Sequence, residues 1–167
     1  MKAKKKKVKI NRIIPGKRMT DIAINISNKH PDYQIDDVTV KNIIYFLKSE
    51  ENQAVSSMTL IITTDEKLNY LKKKYFEQDL LTDTISFNLN DPGKPVEGEI
   101  YISADRIEDN AGKYNVTLEK EFANVLVHSI LHTFGYEDDK EEKKNRMFHL
   151  QEKYLNQINY NGLIIKD

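Results

Sequence analysis

The sequence has no cysteine and no tryptophan among its 167 residues. Without cysteine the chain can form neither a disulfide framework nor a thiolate metal site, so any bound metal must be held by nitrogen and oxygen ligands. The same absence is compatible with a reducing cytoplasm, where we expect the protein to be located. Nitrogen ligands must come from the four histidines of the chain.

Long hydrophobic runs are also absent from the sequence. A helix that crosses a bilayer needs about 20 consecutive apolar residues, and no segment approaches that length. The lysine-rich start is not followed by the apolar segment of a secretory signal peptide, so we expect neither a leader nor contact with a membrane. The length is typical of one domain with a substantial core.

The net charge of zero conceals an uneven distribution of charge. Residues 1–18 contain nine of the 26 basic residues and no acidic one, so the rest of the chain carries 17 basic and 26 acidic residues. We interpret residues 1–18 as a disordered basic extension and residues 19–167 as a single domain. Such an extension can bind nucleic acid electrostatically, whereas the acidic domain disfavours non-specific binding of polyanions.

Hydrophobic periodicity predicts an α+β fold. Alternating or β-branched segments predict strands at residues 21–27, 58–63, 84–89 and 99–103, the last two as an antiparallel pair. Asp36 or Asp37 is predicted to cap a helix whose apolar stripe is Val40, Ile43, Ile44 and Leu47. Asp65 is predicted to cap a second helix, which carries Leu68, Leu71 and Tyr75 on its apolar side. Further helices are predicted from Ala104, after the cap Thr117, and from about Lys140. The order βαβαββααα indicates a single domain with a small mixed four-stranded sheet packed with helices. The very apolar helix after Thr117 is expected to be buried at its centre.

Residues 128–138, which read His-Ser-Ile-Leu-His-Thr-Phe-Gly-Tyr-Glu-Asp, are typical of a metal site on that helix. His128 and His132 are four residues apart, so both imidazoles lie on one helical face and can bind the same ion. Gly135 follows where a helix can end in a left-handed residue, a conformation that glycine adopts without steric cost.

Three acidic residues after the glycine are candidates for a third ligand: Glu137, Asp138 and Asp139. Two imidazoles and one carboxylate leave a coordination position open, which is the arrangement of a catalytic zinc site rather than a structural one. We therefore expect one Zn²⁺ per chain, with another divalent metal as the alternative.

The segment 128–138 resembles the signature of the YbeY endoribonucleases, whose usual form is His-Gly-x-Leu-His-Leu-x-Gly-Tyr-Asp-His. Two upstream segments resemble the same family: residues 79–87, which contain Thr82, Asp83 and Ser86, and residues 98–103, Gly-Glu-Ile-Tyr-Ile-Ser. The resemblance covers roughly residues 20–158, with the three segments in the same order and spacing as in the family.

The resemblance implies a metal-dependent, single-strand-specific endoribonuclease that acts in ribosomal RNA maturation and ribosome quality control. Its implied partners are single-stranded RNA, including ribosomal RNA, and the ribosome. It places the metal on His128, His132 and Asp138, because Asp138 stands at the position of the family's third histidine. The three residues of the second segment, Thr82, Asp83 and Ser86, are candidates for contact with the substrate.

Two further departures from the family concern the chemistry. Phe76 stands where the family usually has an arginine, the natural group to bind a scissile phosphate. Ser129 stands where zinc proteases of the His-Glu-x-x-His type carry a glutamate, and the sequence identifies no general base.

Two other functions share parts of this pattern. The spacing of His128, His132, Gly135 and Asp138 is also that of a metzincin-like zinc metalloprotease, although Ser129 disfavours peptide hydrolysis. A non-catalytic, metal-binding factor associated with the ribosome is the second alternative, and Phe76 is the residue that favours it.

Overall fold

The computed structural model describes residues 22–78 and 81–167. Six strands are present within these ranges: β1 (Ala23–Asn28), β2 (Tyr33–Ile35), β3 (Val55–Thr63), β4 (Thr84–Asn88), β5 (Val96–Ser103) and β6 (Ile164–Lys166). Five helices accompany them: α1 (Asp37–Glu50), α2 (Asp65–Phe76), α3 (Ala104–Tyr114), α4 (Leu118–Thr133) and α5 (Glu141–Leu155). The segment 1–18, interpreted above as a basic extension, lies outside the described residues.

The main sheet has four strands in the order β1-β3-β5-β4. Strands β1, β3 and β5 run parallel, and β4 pairs antiparallel with β5, with Ser86 opposite Ile100. The predicted mixed four-stranded sheet in a single α+β domain is confirmed. No helix in the described part of the chain is long and apolar enough to cross a membrane.

One face of the sheet forms the main core. Alternate residues of the central strand β3, namely Met58, Leu60 and Ile62, point to that face and are fully buried. Helix α1 covers them with its apolar stripe of Val40, Ile43, Ile44 and Leu47, as predicted. The other face is covered in part by α2, whose Leu68 and Leu71 pack against Ile85 of β4.

Helix α4 is the central helix of the domain, as its composition predicts, and ten of its 16 residues are buried. Its cap is Thr117, whose side chain accepts a hydrogen bond from the Lys120 N–H. Gly98 of β5 makes room for the Met58 side chain of the neighbouring strand, because a Cβ there would overlap the Met58 sulfur, and it lies below Thr133 of α4. Helix α4 therefore packs on the sheet at this point.

The prediction that Asp65 caps α2 is wrong. The capping residue is Thr64, whose hydroxyl accepts from the Lys67 N–H. The Asp65 carboxylate instead accepts hydrogen bonds from Ser103 and from Arg106, which lowers its pKa. Tyr75, predicted to lie on the apolar stripe of α2, is 57% exposed, because the stripe ends at Leu71.

Two short strands were not predicted. Strands β2 and β6 pair with each other outside the main sheet, with Gln34 opposite Ile165. Each is three residues long, so neither shows a clear alternating pattern in the sequence. Their pairing joins segments at opposite ends of the chain, and only the complete fold brings these segments together.

Candidate metal centre

The C-terminal end of α4 turns the chain back on itself at Gly135, whose φ is +99°. The Gly135 N–H donates to the His132 carbonyl over 3.0 Å, and the Tyr136 N–H donates to the Leu131 carbonyl over 3.1 Å. This pair of hydrogen bonds is the Schellman motif, in which a residue with positive φ ends the helix. The predicted glycine turn is thus present, and it directs residues 136–139 back towards the histidines.

His128 and His132 point to the same place on the surface of α4. Their Nε2 atoms are 2.9 Å apart, and their side chains are 26% and 27% exposed. The Oδ2 atom of Asp138 lies 3.6 Å from the Nε2 of His128 and 3.4 Å from that of His132. Among the residues described, these three form the one group of histidine and acidic side chains close enough to share a metal ion.

In each imidazole ring the Nδ1 atom, which faces away from the other histidine, lies at hydrogen-bond distance from an oxygen atom. The Nδ1 of His132 is 2.8 Å from the Tyr136 carbonyl oxygen, which can only accept. The Nδ1 of His128 is 2.8 Å from Oε1 of Gln151. The amide of Gln151 is oriented by its donation to Asn124 over 2.9 Å. Both Nδ1 atoms therefore carry the proton, and each Nε2 presents a lone pair to the other histidine.

This arrangement fits a metal ion. Two lone pairs and a carboxylate that converge without a cation between them repel one another. In a tetrahedral zinc site with ligand bonds of about 2.0 Å, neighbouring ligand atoms are about 3.3 Å apart, close to the separations that involve Asp138. Hydrogen bonds from Nδ1 to outer acceptors are also the usual means of orienting metal-bound imidazoles.

The two acidic neighbours of Asp138 face elsewhere. Glu137 and Asp139 both form ion pairs with Lys143 of α5, the latter at 3.2 Å. Glu137, Asp138 and Asp139 line an open cleft of about 230 Å³ together with His132. A small ligand can therefore reach the histidines from solvent on this side.

The loop that carries Asp138 is anchored through Tyr136. The Tyr136 hydroxyl donates to the carboxylate of Glu51 at the end of α1 over 2.6 Å, and the buried Tyr154 donates to the same carboxylate. The hydrogen bond to Glu51 and partial burial raise the pKa of Tyr136, so its hydroxyl stays protonated. Tyr136 thus links α1 to the turn and offers its carbonyl to His132.

The three candidate substrate residues lie in and before β4, and one of them, Asp83, interacts electrostatically with a histidine of the centre. Burial raises the pKa of the Asp83 carboxyl group. The electrostatic interaction with His128 lowers that pKa, but by less. The Thr82 hydroxyl donates to the Thr84 carbonyl over 3.1 Å. The Ser86 hydroxyl is buried without a hydrogen-bond partner among the described residues. Asp83 is therefore the member of this set that borders the candidate centre.

Ser129 cannot take the place of a catalytic glutamate. Its side chain is fully buried, and its hydroxyl donates to the Val125 carbonyl over 2.7 Å. The same hydroxyl lies 2.8 Å from Thr84, which connects α4 to the start of β4. Phe76, at the position of the family's arginine, is 42% exposed at the end of α2, and its ring stacks on Phe87.

The sequence did not identify the residues that support the histidines. Asn124 precedes His128 by four residues and therefore lies on the same helical face, a signal that was available in the sequence. Gln151 lies on α5 and Glu51 is the residue that ends α1. Nothing local in the sequence connects these two residues with His128 or Tyr136. His30, which appeared to carry no signal, is buried, and its Nε2 lies 2.8 Å from Asp105.

The chain is similar to proteins of one family over most of its length. A family model for Endoribonuclease YbeY matches residues 23–159. A protein named Endoribonuclease YbeY from Chlorobaculum tepidum is 34% identical over 126 residues, which are 75% of this chain and 91% of the relative. The protein of the same name from Chlorobaculum parvum is 36% identical over 124 residues, 74% of this chain and 87% of the relative.

A solved structure has a similar fold. The solution structure of a Thermotoga maritima protein is similar to this fold with a TM-score of 0.56 and 27% identity. The similarity covers 80% of this chain and 87% of that one. Because the family model spans far more than half of the residues, this chain belongs to the Endoribonuclease YbeY family.

Proposed function

We propose that this protein is a metal-dependent endoribonuclease that hydrolyses phosphodiester bonds in single-stranded RNA. The observation that carries the proposal is the convergence of His128, His132 and Asp138 within the segment that the Endoribonuclease YbeY model matches. We propose Zn²⁺, one ion per chain, as the metal. Two imidazoles and one carboxylate form a known zinc-binding set that leaves a position open for a reactant.

The residues of this site bind and orient a metal ion, and none of them is assigned as a nucleophile or a base. His128 and His132 present Nε2 lone pairs because Gln151 and the Tyr136 carbonyl hold their Nδ1 protons. Asp138 brings a negative charge where the family usually has a neutral imidazole. A divalent ion bound there supplies Lewis-acid stabilisation of a phosphodiester oxygen and activation of water.

The three candidate substrate residues are not equally well supported as contacts to RNA beside this centre. Asp83 is the strongest of them, since its carboxyl group is the one that interacts with His128. Thr82 keeps its proposed role as a contact to RNA at the same edge of the sheet. The Ser86 hydroxyl is buried and would have to become exposed to make the contact proposed for it. Ser129 has no role as a base, because its hydroxyl is buried and already hydrogen-bonded.

The cellular role that we propose is maturation of ribosomal RNA and ribosome quality control in the cytoplasm, with the ribosome as partner. Similarity to proteins named Endoribonuclease YbeY supports the role in RNA processing. The same similarity favours RNA cleavage over the metzincin-like protease, whose essential glutamate is replaced by the buried Ser129.

The function is tested with purified protein and a labelled RNA of one sequence, offered as a single strand and as a duplex. We expect internal cleavage of the single strand, loss of that cleavage with a chelator, and its return with Zn²⁺. Absence of cleavage with a full equivalent of metal bound would favour a non-catalytic ribosome-associated factor. Cleavage of a peptide but not of RNA would favour the protease.

A further test concerns residues 1–18, which we propose to be a basic extension of the domain formed by residues 19–167. A chain that begins at Met19 is expected to keep its fold and its metal. It should lose only the salt-sensitive part of its RNA affinity, because lysine–phosphate contacts release counterions. Circular dichroism, metal analysis and RNA titrations at two salt concentrations measure these properties. A truncated chain that does not fold would contradict the assignment.

A further inference from the structure

Three aromatic rings lie together on the face of the sheet opposite the main core. Tyr75 and Phe76 end helix α2, and Phe87 lies on the neighbouring strand β4. The ring centroids of Phe76 and Phe87 are 5.9 Å apart and nearly parallel, with an interplanar angle of 13°. Tyr75 meets Phe87 edge-on, also at 5.9 Å. The three rings therefore form one continuous aromatic surface, which we call the platform.

The platform is open to solvent although its rings are large. Tyr75 is 57% exposed and Phe76 is 42% exposed, whereas Leu68 and Leu71 of the same helix are buried. The fold of α2 is thus secured by the two leucines, and burial of the platform rings is not what holds the helix. Contiguous exposed apolar surface bordered by polar residues is typical of a binding site.

Lysine side chains lie over two rings of the platform. The Lys72 Nζ lies 4.8 Å from the ring centroid of Phe76, and the Lys74 Nζ lies 5.2 Å from that of Tyr75. These cations stand out in a chain whose residues 19–167 carry more acidic than basic side chains. Aromatic faces interleaved with lysines are the combination that binds single-stranded nucleic acid, since the rings stack on bases and the cations meet phosphates.

The platform is connected to the candidate metal centre through β4. Lys72 and His128 both interact electrostatically with the carboxylate of Asp83, the residue that precedes the strand. The first residue of the strand, Thr84, contacts Ser129 beside His128, and Phe87 follows three residues later. One polymeric ligand can therefore cross the edge of the sheet and reach both surfaces.

We propose that Tyr75, Phe76 and Phe87, with Lys72 and Lys74, bind single-stranded RNA next to the cleavage site. Bases stack on the ring faces that the two lysine side chains cover in the free protein, and the lysine ammonium groups move from the rings to the backbone phosphates. This inference rests on the proposed function, because it assigns the substrate contacts of the same site. Bases in a duplex have their faces covered by their neighbours, so the platform selects single strands. Stacking strength contributes to base preference. Purines have larger faces than pyrimidines, so we expect oligo(A) to bind this platform more tightly than oligo(U).

The test is fluorescence anisotropy with full-length, metal-loaded protein and labelled oligonucleotides of about 12 nucleotides, a length within the range of known single-strand sites. The probes are oligo(A), oligo(U) and an RNA duplex with phosphorothioate linkages, which resist hydrolysis and keep the backbone charge, and each is checked on a denaturing gel to be intact after the titration. We expect oligo(A) to bind more tightly than oligo(U). Cleavage of single strands of the same sequence with ordinary phosphodiester linkages is measured in parallel.

Separate variants test the rings and the cations. Phe76→Ala and Tyr75→Ala are each expected to weaken oligo(A) binding by about ten-fold, the loss that corresponds to one base stack. Phe76→Trp should retain the affinity, because a larger ring restores stacking. Lys72→Gln should lower the slope of log affinity against log salt by about 0.7, which corresponds to one phosphate contact. Binding of the duplex should be unchanged by Phe76→Ala and Tyr75→Ala.

Tyr114 provides a matched control. It is 58% exposed on α3 and carries a lysine over its ring, Lys113 at 5.6 Å, but it does not belong to the platform. Tyr114→Ala should therefore leave oligo(A) affinity unchanged. Thermal unfolding of each variant shows whether the fold is intact, and Lys72→Gln tests the surface without removal of a ring.

The outcomes separate this inference from the proposed function. If the protein cleaves single-stranded RNA but folded Phe76→Ala and Tyr75→Ala variants bind oligo(A) as the unmodified protein does, the platform inference is wrong and the function stands. If these variants instead change only the concentration dependence of the molecular mass, the platform is a protein contact and the inference is again wrong. If the unmodified protein neither binds nor cleaves RNA, both proposals fail together.

Discussion

Replacement of both His128 and His132 by alanine is expected to abolish bound metal and to reduce RNA cleavage to the protein-free background. The two Nε2 atoms are two of the three donors that converge at the centre, and Asp138 alone cannot hold the ion. Thermal stability should also fall, because a ligand that binds only the folded state stabilises it. The stabilisation that is lost amounts to about 3–4 kcal/mol when the free metal exceeds its Kd by a hundred- to a thousand-fold. Elemental analysis and calorimetry measure the two effects.

His149 is the control for this experiment, since it is an exposed histidine on α5 outside the candidate centre. His149→Ala should keep one equivalent of metal and the unfolding temperature of the unmodified protein. A folded double variant of His128 and His132 that still binds a full equivalent would show that the metal is held elsewhere.

Asp138→Ala is expected to weaken metal binding sharply, whereas Glu137→Ala and Asp139→Ala should change it little. Asp138 is the acidic residue whose carboxylate faces both histidines, at 3.4 and 3.6 Å. Its two neighbours are paired with Lys143 instead. Isothermal titration with Zn²⁺ gives the affinity of each variant directly.

A fourth variant in the same series distinguishes a ligand from a merely nearby charge. Asp138→His should retain or tighten zinc binding, because imidazole is at least as good a ligand for zinc and stands at this position in the related signature. The assignment is contradicted if Asp139→Ala proves to be the damaging change or if Asp138→Ala leaves the affinity intact.

The sequence predicted those parts of the structure that depend on local spacing. The stripe of α1, the cap Thr117 and the left-handed turn at Gly135 each follow from a pattern within a few residues. The shared face of His128 and His132 follows from the same helical geometry. The positions of these side chains could be derived because a helix fixes its own periodicity.

Features that join distant segments could not be derived in this way. The pairing of β2 with β6, the support of His128 by Gln151 and the anchoring of Tyr136 on Glu51 each depend on how whole elements pack. The exposure of Tyr75 was missed for a related reason. Its spacing from Leu71 places it on the apolar side of α2, but its ring meets Phe87 of β4 only edge-on and stays 57% exposed.

The central claim is that one metal ion, held by the two histidines and Asp138, is required for cleavage of single-stranded RNA. The most direct measurement is the single-turnover rate of cleavage of one labelled single strand by the unmodified protein and by the double variant of His128 and His132. Each protein is assayed as purified, after chelation, and after addition of Zn²⁺. The account predicts that the unmodified protein loses activity with the chelator and regains it with Zn²⁺, while the folded double variant stays inactive throughout. Equal cleavage by the two proteins, or activity that survives complete removal of the metal, would contradict it.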